Sequence, residues 1–557
     1  MWLINTTTLR IREFTGDEIP LYAILSHTWG DQEVTFRDIA SLYHDATSKQ
    51  GWQKICETCR LAREHGLSYA WIDTVSIDKS SSSELSEAVN SMFAWYSNAD
   101  VCFAWLEDLQ PGSTDLSSCR WFTRGWTLQE LIAPHKTLFF NRDWEAIGSK
   151  EDLTPSIGEA TNIPLEVISG TASFLEYSVA ARMSWAAKRK TRRTEDAAYC
   201  LLGLFDVHMP LIYGEGLYAF RRLQEEIIKR DNDLTIFAWD PEEEFGPQVF
   251  LPMLAPTPAC FSEGANITVS GFDFLQFSIT NKGLLFSAGL LLDLNQRVQD
   301  GDVYWTWTIR LGYDYHDNDE CSVRVSLSQI GPGIFARDGR FRLARDQESD
   351  TVQSDVVVER LETTSDFFVL SGLEDSKIWD LYRRYRSRVV HLPEEQPLDD
   401  FLWLDMEPQS LWERNDRVFL KPSLRFWSQH PIPLAARFVT GINGAVQMVV
   451  ICSYTETRKL KLTLLVEDDK TAEGINWLFD SLNTAPESTS MGELQDRMPE
   501  FASMDNSTEI IHGRWKTTVS ASLSLECVRF MSDIFCVKLE SQRTAHQSLS
   551  DNYGEAF

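Results

Sequence analysis

Long apolar runs are absent from this 557-residue chain: no stretch reaches the roughly 20 consecutive apolar residues that a membrane-spanning helix needs. The opening residues also lack the basic segment and apolar core that are typical of a secretory signal. We therefore expect a cytoplasmic protein with no membrane span.

Cysteine pairs at metal-ligand spacing are also missing. Ten cysteines are spread over the chain, and the one close pair, Cys56 and Cys59, lies within a helical pattern with no second pair to match it. We expect reduced, buried thiols and no metal site.

Basic residues are scarce, with 52 Lys and Arg against 82 Asp and Glu and a formal net charge of −30 at pH 7. This charge repels nucleic-acid backbones, so we expect no nucleic-acid partner. One basic cluster, residues 188–193, reads Lys-Arg-Lys-Thr-Arg-Arg. A solvated helix end, a local phosphate or partner patch and a nuclear address are all open interpretations of this basic cluster.

Apolar residues are plentiful, at 43% of the chain, and the length indicates about three domains. Strand-like and helical segments alternate over residues 1–150, with apolar runs that start at 21, 69, 101 and 136. This alternation predicts a mostly parallel, three-layer α/β sheet in which the first three strands are neighbours. Because ligands of such sheets bind at the carboxyl ends of the strands, we expect a pocket there.

The apolar period changes twice after this region. A period near 3.6 over residues 151–240 predicts a helical annex, which we expect to pack on the first domain and to cover part of its pocket. A period of two over residues 245–540 predicts an antiparallel, sandwich-like β domain that folds as its own unit. Residues 484–508 and a tail at 541–557 are polar enough to be loops or disordered.

One predicted helix has an aromatic and an acidic side chain on the face that its packing against the core does not use. Leu128, Leu131 and Ile132 occur at i, i+3 and i+4 and form one apolar stripe. Trp126 and Glu130 are four residues apart on the opposite face. Either later chain covers this face, or it lines a pocket in which an apolar wall controls the protonation of the carboxyl group.

Three blocks of sequence stand out: Tyr-Ala-Ile-Leu-Ser-His-Thr-Trp-Gly at 22–30, Trp-Ile-Asp-Thr-Val-Ser-Ile-Asp-Lys at 71–79 and Trp-Phe-Thr-Arg-Gly-Trp-Thr-Leu-Gln-Glu at 121–130. In content, order and spacing these blocks resemble the heterokaryon incompatibility (HET) domain of filamentous fungi. The resemblance covers roughly residues 20–150 and continues more loosely through 182–216. Members commonly carry two cysteines where this chain has Val75 and Ser76, so no role of those cysteines is transferred.

HET domains in turn resemble TIR domains, which have a flavodoxin-like fold, and some TIR domains cleave NAD through a glutamate in the helix after the third strand. Glu130, in a Trp-x-x-x-Glu arrangement, matches this position, so the resemblance implies Glu130 as the catalytic residue. The residues expected to bind NAD lie at the strand ends and on this helix: Ser26, His27, Trp29, Asp73 and Trp126.

Two of these residues have structural alternatives. His27 is either a ligand contact or a side chain satisfied by a nearby protein group. Asp73, an acid within an apolar run, is either a pocket residue or a hydrogen-bonded anchor for the following loop.

The resemblance implies a signalling protein of fungal nonself recognition, or vegetative incompatibility, that triggers the programmed cell death of fungal innate immunity. Its expected partners are other incompatibility or receptor proteins. Self-association into a homo-oligomer is left as an open alternative. The alternative function is an NAD glycohydrolase that uses Glu130, with NAD cleavage as the death signal and NAD as substrate rather than cofactor. Loss of Glu130 distinguishes the two, because a pure adaptor tolerates it.

Overall fold

The computed structural model describes most of the first 269 residues and separate segments after them. The described residues are 1–40, 46–242, 250–269, 276–281, 283–287, 291–299, 302–316, 319–331, 334–339, 342–347, 355–362, 367–370, 390–391, 401–407, 409, 412–413, 418–419, 434–440, 446–454, 460–484, 491–497, 507–512, 515–528 and 531–545. The chain divides into two compact units, Met1–Ser328 with Ala336–Gly372 and Gln329–Phe335 with Leu373–Phe557. This division falls later in the chain than the change of period near residue 245.

The first unit begins with a seven-stranded sheet and the helices that cover it. The strands are β1 (Trp2–Asn5), β2 (Ile11–Glu13), β3 (Ala23–His27), β4 (Tyr69–Trp71), β5 (Val101–Trp105), β6 (Thr137–Phe140) and β7 (Ala146–Ser149). The helices are α1 (Phe36–Ala40), α2 (Gly51–Glu64), α3 (Asp73–Ser76), α4 (Ser82–Ser97), α5 (Arg120–Thr123) and α6 (Thr127–Ile132).

The sheet order is β2-β1-β4-β3-β5-β6-β7. Neighbours from β4 to β6 are parallel, whereas β1, β2 and β7 pair antiparallel at the edges. The sheet is therefore mixed, with a parallel centre, and the predicted adjacency of the first three parallel strands is confirmed. Because the chain leaves β3 for β4 on one side and later reaches β5 on the other, the β3/β5 edge is a topological switch point.

Both faces of this sheet are buried, which explains why its central strands are continuously apolar. Alternate residues of β3 enter different core clusters: Leu25 packs with Ile55 of α2, whereas Ile24 packs with Met92 of α4. Every residue of β3 and β5 is buried. The helices end as their sequences indicate; for example, Gly66 ends α2 with a φ of 77°.

Two predicted elements differ from the structure. The apolar run after residue 69 is a strand only to Trp71, because the Ser76 backbone N–H donates to the Ile72 carbonyl at 2.8 Å and closes the helical turn α3. The single helix predicted around Glu130 is broken into α5 and α6, because the Gly125 N–H donates to the Lys190 carbonyl at 2.9 Å instead of continuing the helix.

Helices dominate the next part of the first unit, as the period of 3.6 predicts. They are α7 (Thr154–Thr161), α8 (Leu165–Ser169), α9 (Val179–Ala187), α10 (Asp196–Tyr199) and α11 (Tyr218–Ile228). An aspartate, Asp233, joins two of its elements, since its carboxylate accepts from the backbone N–H of Val179 at 2.6 Å and of Thr235 at 2.8 Å.

Strands dominate the described residues beyond 250. They are β8 (Phe250–Leu251), β9 (Ile267–Thr268), β10 (Phe277–Thr280), β11 (Gly283–Phe286), β12 (Leu291–Gln299), β13 (Asp302–His316), β14 (Asp319–Gly331), β15 (Ile334–Asp338), β16 (Ala344–Gln347), β17 (Asp355–Glu362), β18 (Phe367–Val369), β19 (Val390–His391), β20 (Phe401–Glu407), β21 (Trp412–Glu413), β22 (Val418–Phe419), β23 (Leu434–Thr440), β24 (Val446–Tyr454), β25 (Leu460–Val466), β26 (Ser507–His512), β27 (Trp515–Val528) and β28 (Met531–Ala545). Two helices accompany them, α12 (Ala472–Thr484) and α13 (Met491–Arg497).

These strands form sheets of eleven, six and four strands within the described residues. Nearly all their pairings are antiparallel; β19 and β28 are a parallel pair. In the second unit, the four-stranded sheet packs one face on β27 and β28 and the other on α12. α13 lies within the stretch predicted to be loops, and β28 extends into the predicted tail as far as Ala545; residues 546–557 lie outside the described residues.

Candidate functional site

A cavity of about 310 Å³ lies at the carboxyl ends of the parallel strands. This volume is at the lower end of the range for small-molecule sites, roughly 300–1,000 Å³. Its lining combines apolar, aromatic and charged side chains from β3, the loops after β4, helices α4 and α6, and the start of the annex. They are His27, Trp29, Asp73, Ile77, Lys79, Leu85, Val89, Met92, Tyr96, Arg124, Trp126, Glu130, Arg192, Arg193, Asp196 and Tyr213.

Five of the six side chains predicted for the site line this cavity; the sixth, Ser26, is fully buried behind it and contacts Glu130. The structure thus brings together the side chains that were expected to meet at the strand ends. What these residues do remains a prediction.

Glu130 is a buried carboxyl group in the cavity wall, with 7% of the residue exposed. The Ser26 hydroxyl donates to its Oε2, and the Trp121 indole N–H donates to the same hydroxyl oxygen at 2.8 Å. Burial raises the pKa of Glu130 to about 7, and the negative charge of Asp73 adds to this effect, whereas Ser26 and Arg124 oppose it. At neutral pH this carboxyl group is poised between its two protonation states.

Asp73 is held by three neighbours. His27 Nε2 lies 3.0 Å from its Oδ1, the Trp29 indole N–H donates to its Oδ2 at 2.8 Å, and Lys79 Nζ lies 3.8 Å away. Although burial alone would raise the pKa of Asp73, the Lys79 charge and the hydrogen bonds keep it well below its usual range. Asp73 is therefore both an anchor for the loops and a negatively charged part of the cavity wall.

The proton position on His27 follows from its second neighbour. Lys54 Nζ lies 3.2 Å from His27 Nδ1, and an ammonium group can only donate, so Nδ1 accepts and Nε2 carries the hydrogen directed at Asp73. Lys54 itself is buried and forms an ion pair with Glu33 at 2.5 Å. Both ring nitrogens of His27 are thus satisfied by protein groups, which supports the structural interpretation of this residue.

Trp126 is half-buried, and its indole hydrogen-bonds to the carboxyl group of Asp196 in the annex. The Tyr213 hydroxyl donates to the same carboxyl group at 3.1 Å. Burial raises the pKa of Asp196 above its ordinary value, although both hydrogen bonds oppose the rise. The annex therefore completes the cavity opposite α4.

Sequence reasoning missed six charged or polar lining residues: Lys79, Arg124, Arg192, Arg193, Asp196 and Tyr213. Two of them belong to the basic cluster, which the composition analysis singled out without a role. The run of basic residues can be recognised in the sequence, but the neighbouring residues do not indicate which part of the protein the basic cluster packs against.

Within the described residues, no group of three or more His, Cys, Asp or Glu side chains is placed to hold a metal ion. In the same part of the chain, every helix is too short or too polar to cross a membrane. The cysteines that the structure describes individually are free, six of them buried and two partly exposed.

Comparison with known proteins agrees with the resemblance in the sequence. Residues 22–116 match the heterokaryon incompatibility protein (HET) family, and residues 218–256 match a domain of unknown function (DUF8212). Vegetative incompatibility protein HET-E-1 of Podospora anserina is 45% identical over 236 residues, which are 40% of this chain and 17% of that protein. The chain thus spans less than a fifth of the relative's length. No solved structure matches.

The HET family match contains β3, β4, α4 and β5, and with them Ser26, His27, Trp29 and Asp73 of the site. It ends before Glu130, so the carboxyl group in the cavity wall lies outside this match. From the family match and the identity to an incompatibility protein, we conclude that this chain contains a heterokaryon incompatibility (HET) domain.

Proposed function

We propose that this chain acts in heterokaryon incompatibility, the nonself recognition of filamentous fungi, and that its N-terminal domain triggers a cell-death response. The HET domain and the 45% identity to a vegetative incompatibility protein support this role. Its partners are other incompatibility or receptor proteins, and self-association brings several N-terminal domains together. The later β-rich region controls when that happens.

The effector step is cleavage of NAD in the cavity beside Glu130. The observation that carries this proposal is a buried carboxyl group with a pKa of about 7 in the wall of a cavity at a topological switch point. The order β4-β3-β5-β6 corresponds to 2-1-3-4 among the parallel strands, as in the flavodoxin-like arrangement. This order supports a TIR-like domain.

Cleavage breaks the bond between C1′ of the ribose and the pyridinium nitrogen, whose electron pair leaves with nicotinamide as a neutral group. The ribose becomes oxocarbenium-like until water adds to C1′ and releases a proton. Glu130 in its carboxylate form stabilises the positive charge and orients the ribose hydroxyl groups. Ser26 holds the carboxylate by donating to Oε2, and its own direction is fixed by Trp121.

A second candidate is an adaptor that signals by binding alone. The hydrogen bonds of His27 and Asp73 favour the adaptor, because both side chains are paired with groups of the protein itself. Such side chains can have a structural role without binding a ligand. In an adaptor, removing the Glu130 charge leaves signalling intact.

The test compares the wild-type chain with Glu130→Gln, which keeps the shape and removes the charge. The control is Glu87→Gln, at an exposed glutamate on α4 outside the cavity. Nicotinamide release from NAD is measured on dilute protein and on protein concentrated by a crowding agent, and growth arrest is scored on expression. We expect wild type and Glu87→Gln to release nicotinamide and arrest growth, and Glu130→Gln to do neither. If Glu130→Gln arrests growth and no sample loses NAD, the adaptor function is supported and the NAD-cleavage hypothesis is rejected.

A further inference from the structure

We propose that Arg192 and Arg193 of the basic cluster, together with Arg124, form an anion subsite that binds the diphosphate of a nucleotide in the Glu130 cavity. This inference deepens the proposed function and rests on it for the position of the ribose. It assigns a role in binding to a segment outside the matched HET residues.

The basic cluster is attached to the site rather than solvated at a helix end. The Lys190 N–H donates to the Thr123 carbonyl at 2.7 Å, and the Lys190 carbonyl accepts from the Gly125 N–H at 2.9 Å. The guanidinium group of the preceding residue, Arg189, donates to the Arg124 carbonyl at 3.0 Å. The backbone of the basic cluster therefore runs beside the segment between α5 and α6 and delivers its last two arginines to the cavity.

The fit between these segments is close. A Cβ atom on Gly125 would lie 2.5 Å from Thr191 Cγ2 and 3.1 Å from Cys200 Sγ, so only glycine allows this approach. The Thr191 hydroxyl donates to the Arg193 carbonyl at 2.7 Å and holds the turn that follows. Packing, rather than a flexible surface loop, thus sets the position of Arg192 and Arg193.

Among the residues that the structure describes, no carboxylate lies at ion-pair distance from the arginines of the cavity. Lys79 pairs with Asp73, but none of the ion pairs among the described residues involves Arg124, Arg192 or Arg193. The chain has a net charge of −30, whereas the cavity lining has four cationic side chains, the three arginines and Lys79, against three acidic ones. Guanidinium groups donate in a planar fork that matches phosphate oxygens, so a phosphate is the anion that they suit best.

The charged side chains of the cavity differ in burial. Glu130 is buried, whereas Arg192 and Arg193 are exposed, and the Arg193 guanidinium lies 4.3 Å from the centre of the Tyr213 ring. A ligand that places a cationic ring near the buried carboxyl group and a diphosphate at the exposed arginines complements this arrangement. The nicotinamide riboside half of NAD and its pyrophosphate have this distribution of charge, with the ribose at Glu130 and the pyrophosphate at the arginines.

Binding is tested on the full chain carrying Glu130→Gln, so that NAD is not consumed, by titration calorimetry with NAD, ADP-ribose and the phosphate-free nicotinamide riboside. Arg192→Gln with Arg193→Gln is compared with Lys188→Gln with Lys190→Gln, which removes the same charge from exposed residues of the basic cluster outside the cavity. We expect the arginine pair to weaken NAD and ADP-ribose by roughly 10- to 100-fold, the loss of a charge-assisted hydrogen bond. The lysine pair changes affinity by less than about threefold, and nicotinamide riboside is unaffected by either pair.

Three outcomes overturn the subsite: unchanged affinity for ADP-ribose in the arginine variant, an equal loss in the lysine variant, or no binding of ADP-ribose to the protein with both arginines present. Thermal denaturation of each variant confirms that it is folded. Failure of the proposed function has a different signature. If wild type releases no nicotinamide while ADP-ribose still binds in an arginine-dependent way, catalysis is wrong and the anion subsite stands.

Discussion

The Glu130 carboxyl group accepts a hydrogen bond from the Ser26 hydroxyl, although 104 residues separate them in the chain. Ser26 is on β3 and Glu130 on α6, so the contact joins the central strand of the sheet to the helix at its carboxyl edge. The Trp121 indole donates to the same hydroxyl oxygen, which leaves the single hydroxyl proton for Glu130. The acidity of Glu130 is therefore controlled by the packing of two distant segments.

The first prediction concerns the pH dependence of the proposed cleavage. The reaction needs the carboxylate form of Glu130, whose pKa in the ligand-free protein is about 7, so kcat/KM for nicotinamide release rises with pH up to about 7 and then levels off. Below pH 6 the rate falls about tenfold for each pH unit. Steady-state rates between pH 5 and 9 check this; a rate that falls with rising pH would contradict a carboxylate role.

The second prediction concerns stability. Burial raises the pKa of Glu130 from 4.5 in the unfolded chain to about 7, so between these values the folded state binds the extra proton and the free energy of unfolding falls as pH rises. Glu130→Gln removes this loss and should be more stable than wild type above pH 7 by on the order of 3 kcal/mol, with little difference at pH 5. Urea denaturation at pH 5 and 8.5 measures it. Parallel pH dependence of the two proteins would show that the carboxyl group is not buried.

The third prediction concerns Ser26→Ala. Loss of the hydroxyl donor removes an interaction that favours the carboxylate, so the midpoint of the pH–rate profile should move upward by about 1 pH unit. Ser82→Ala, at an exposed serine on α4, is the control and should keep the wild-type midpoint. A lower rate with an unmoved midpoint would assign Ser26 a purely structural role.

Much of the sheet could be predicted because its central strands are covered on both faces. β5 is apolar throughout and β3 is apolar up to Ser26, and a run of this kind can be recognised without knowledge of the rest of the chain. The helical turn α3 could not be recognised in the same way, since the β-branched residues Thr74 and Val75 are typical of a strand and only the backbone hydrogen bonds distinguish the turn.

The residues of the candidate site likewise include some that could be predicted from the sequence and some that could not. Residues at strand ends, such as His27 and Asp73, could be placed together because parallel strands share an edge. Arg192 and Arg193 could not, since their position depends on a contact between Lys190 and Gly125, 65 residues apart, that leaves no periodic signal. The break between α5 and α6 has the same cause, so one long-range contact accounts for both omissions.

The last prediction tests that contact. Gly125→Ala places a methyl group 2.5 Å from Thr191 Cγ2, and relieving the clash displaces the basic cluster from the cavity. Overpacking of this kind costs about 1–3 kcal/mol, more than the roughly 0.4–1 kcal/mol that alanine gains by restricting the unfolded chain. We therefore expect lower stability in urea and weaker binding of ADP-ribose.

A second substitution separates this clash from a general loss of structure. Thr191→Ser removes Cγ2 but retains the hydroxyl that donates to the Arg193 carbonyl. The double variant, Gly125→Ala with Thr191→Ser, should recover much of both the stability and the affinity, although Cys200 Sγ still lies 3.1 Å from the new methyl group. Recovery of stability without recovery of ADP-ribose binding would show that the basic cluster packs on the HET domain but takes no part in holding the ligand.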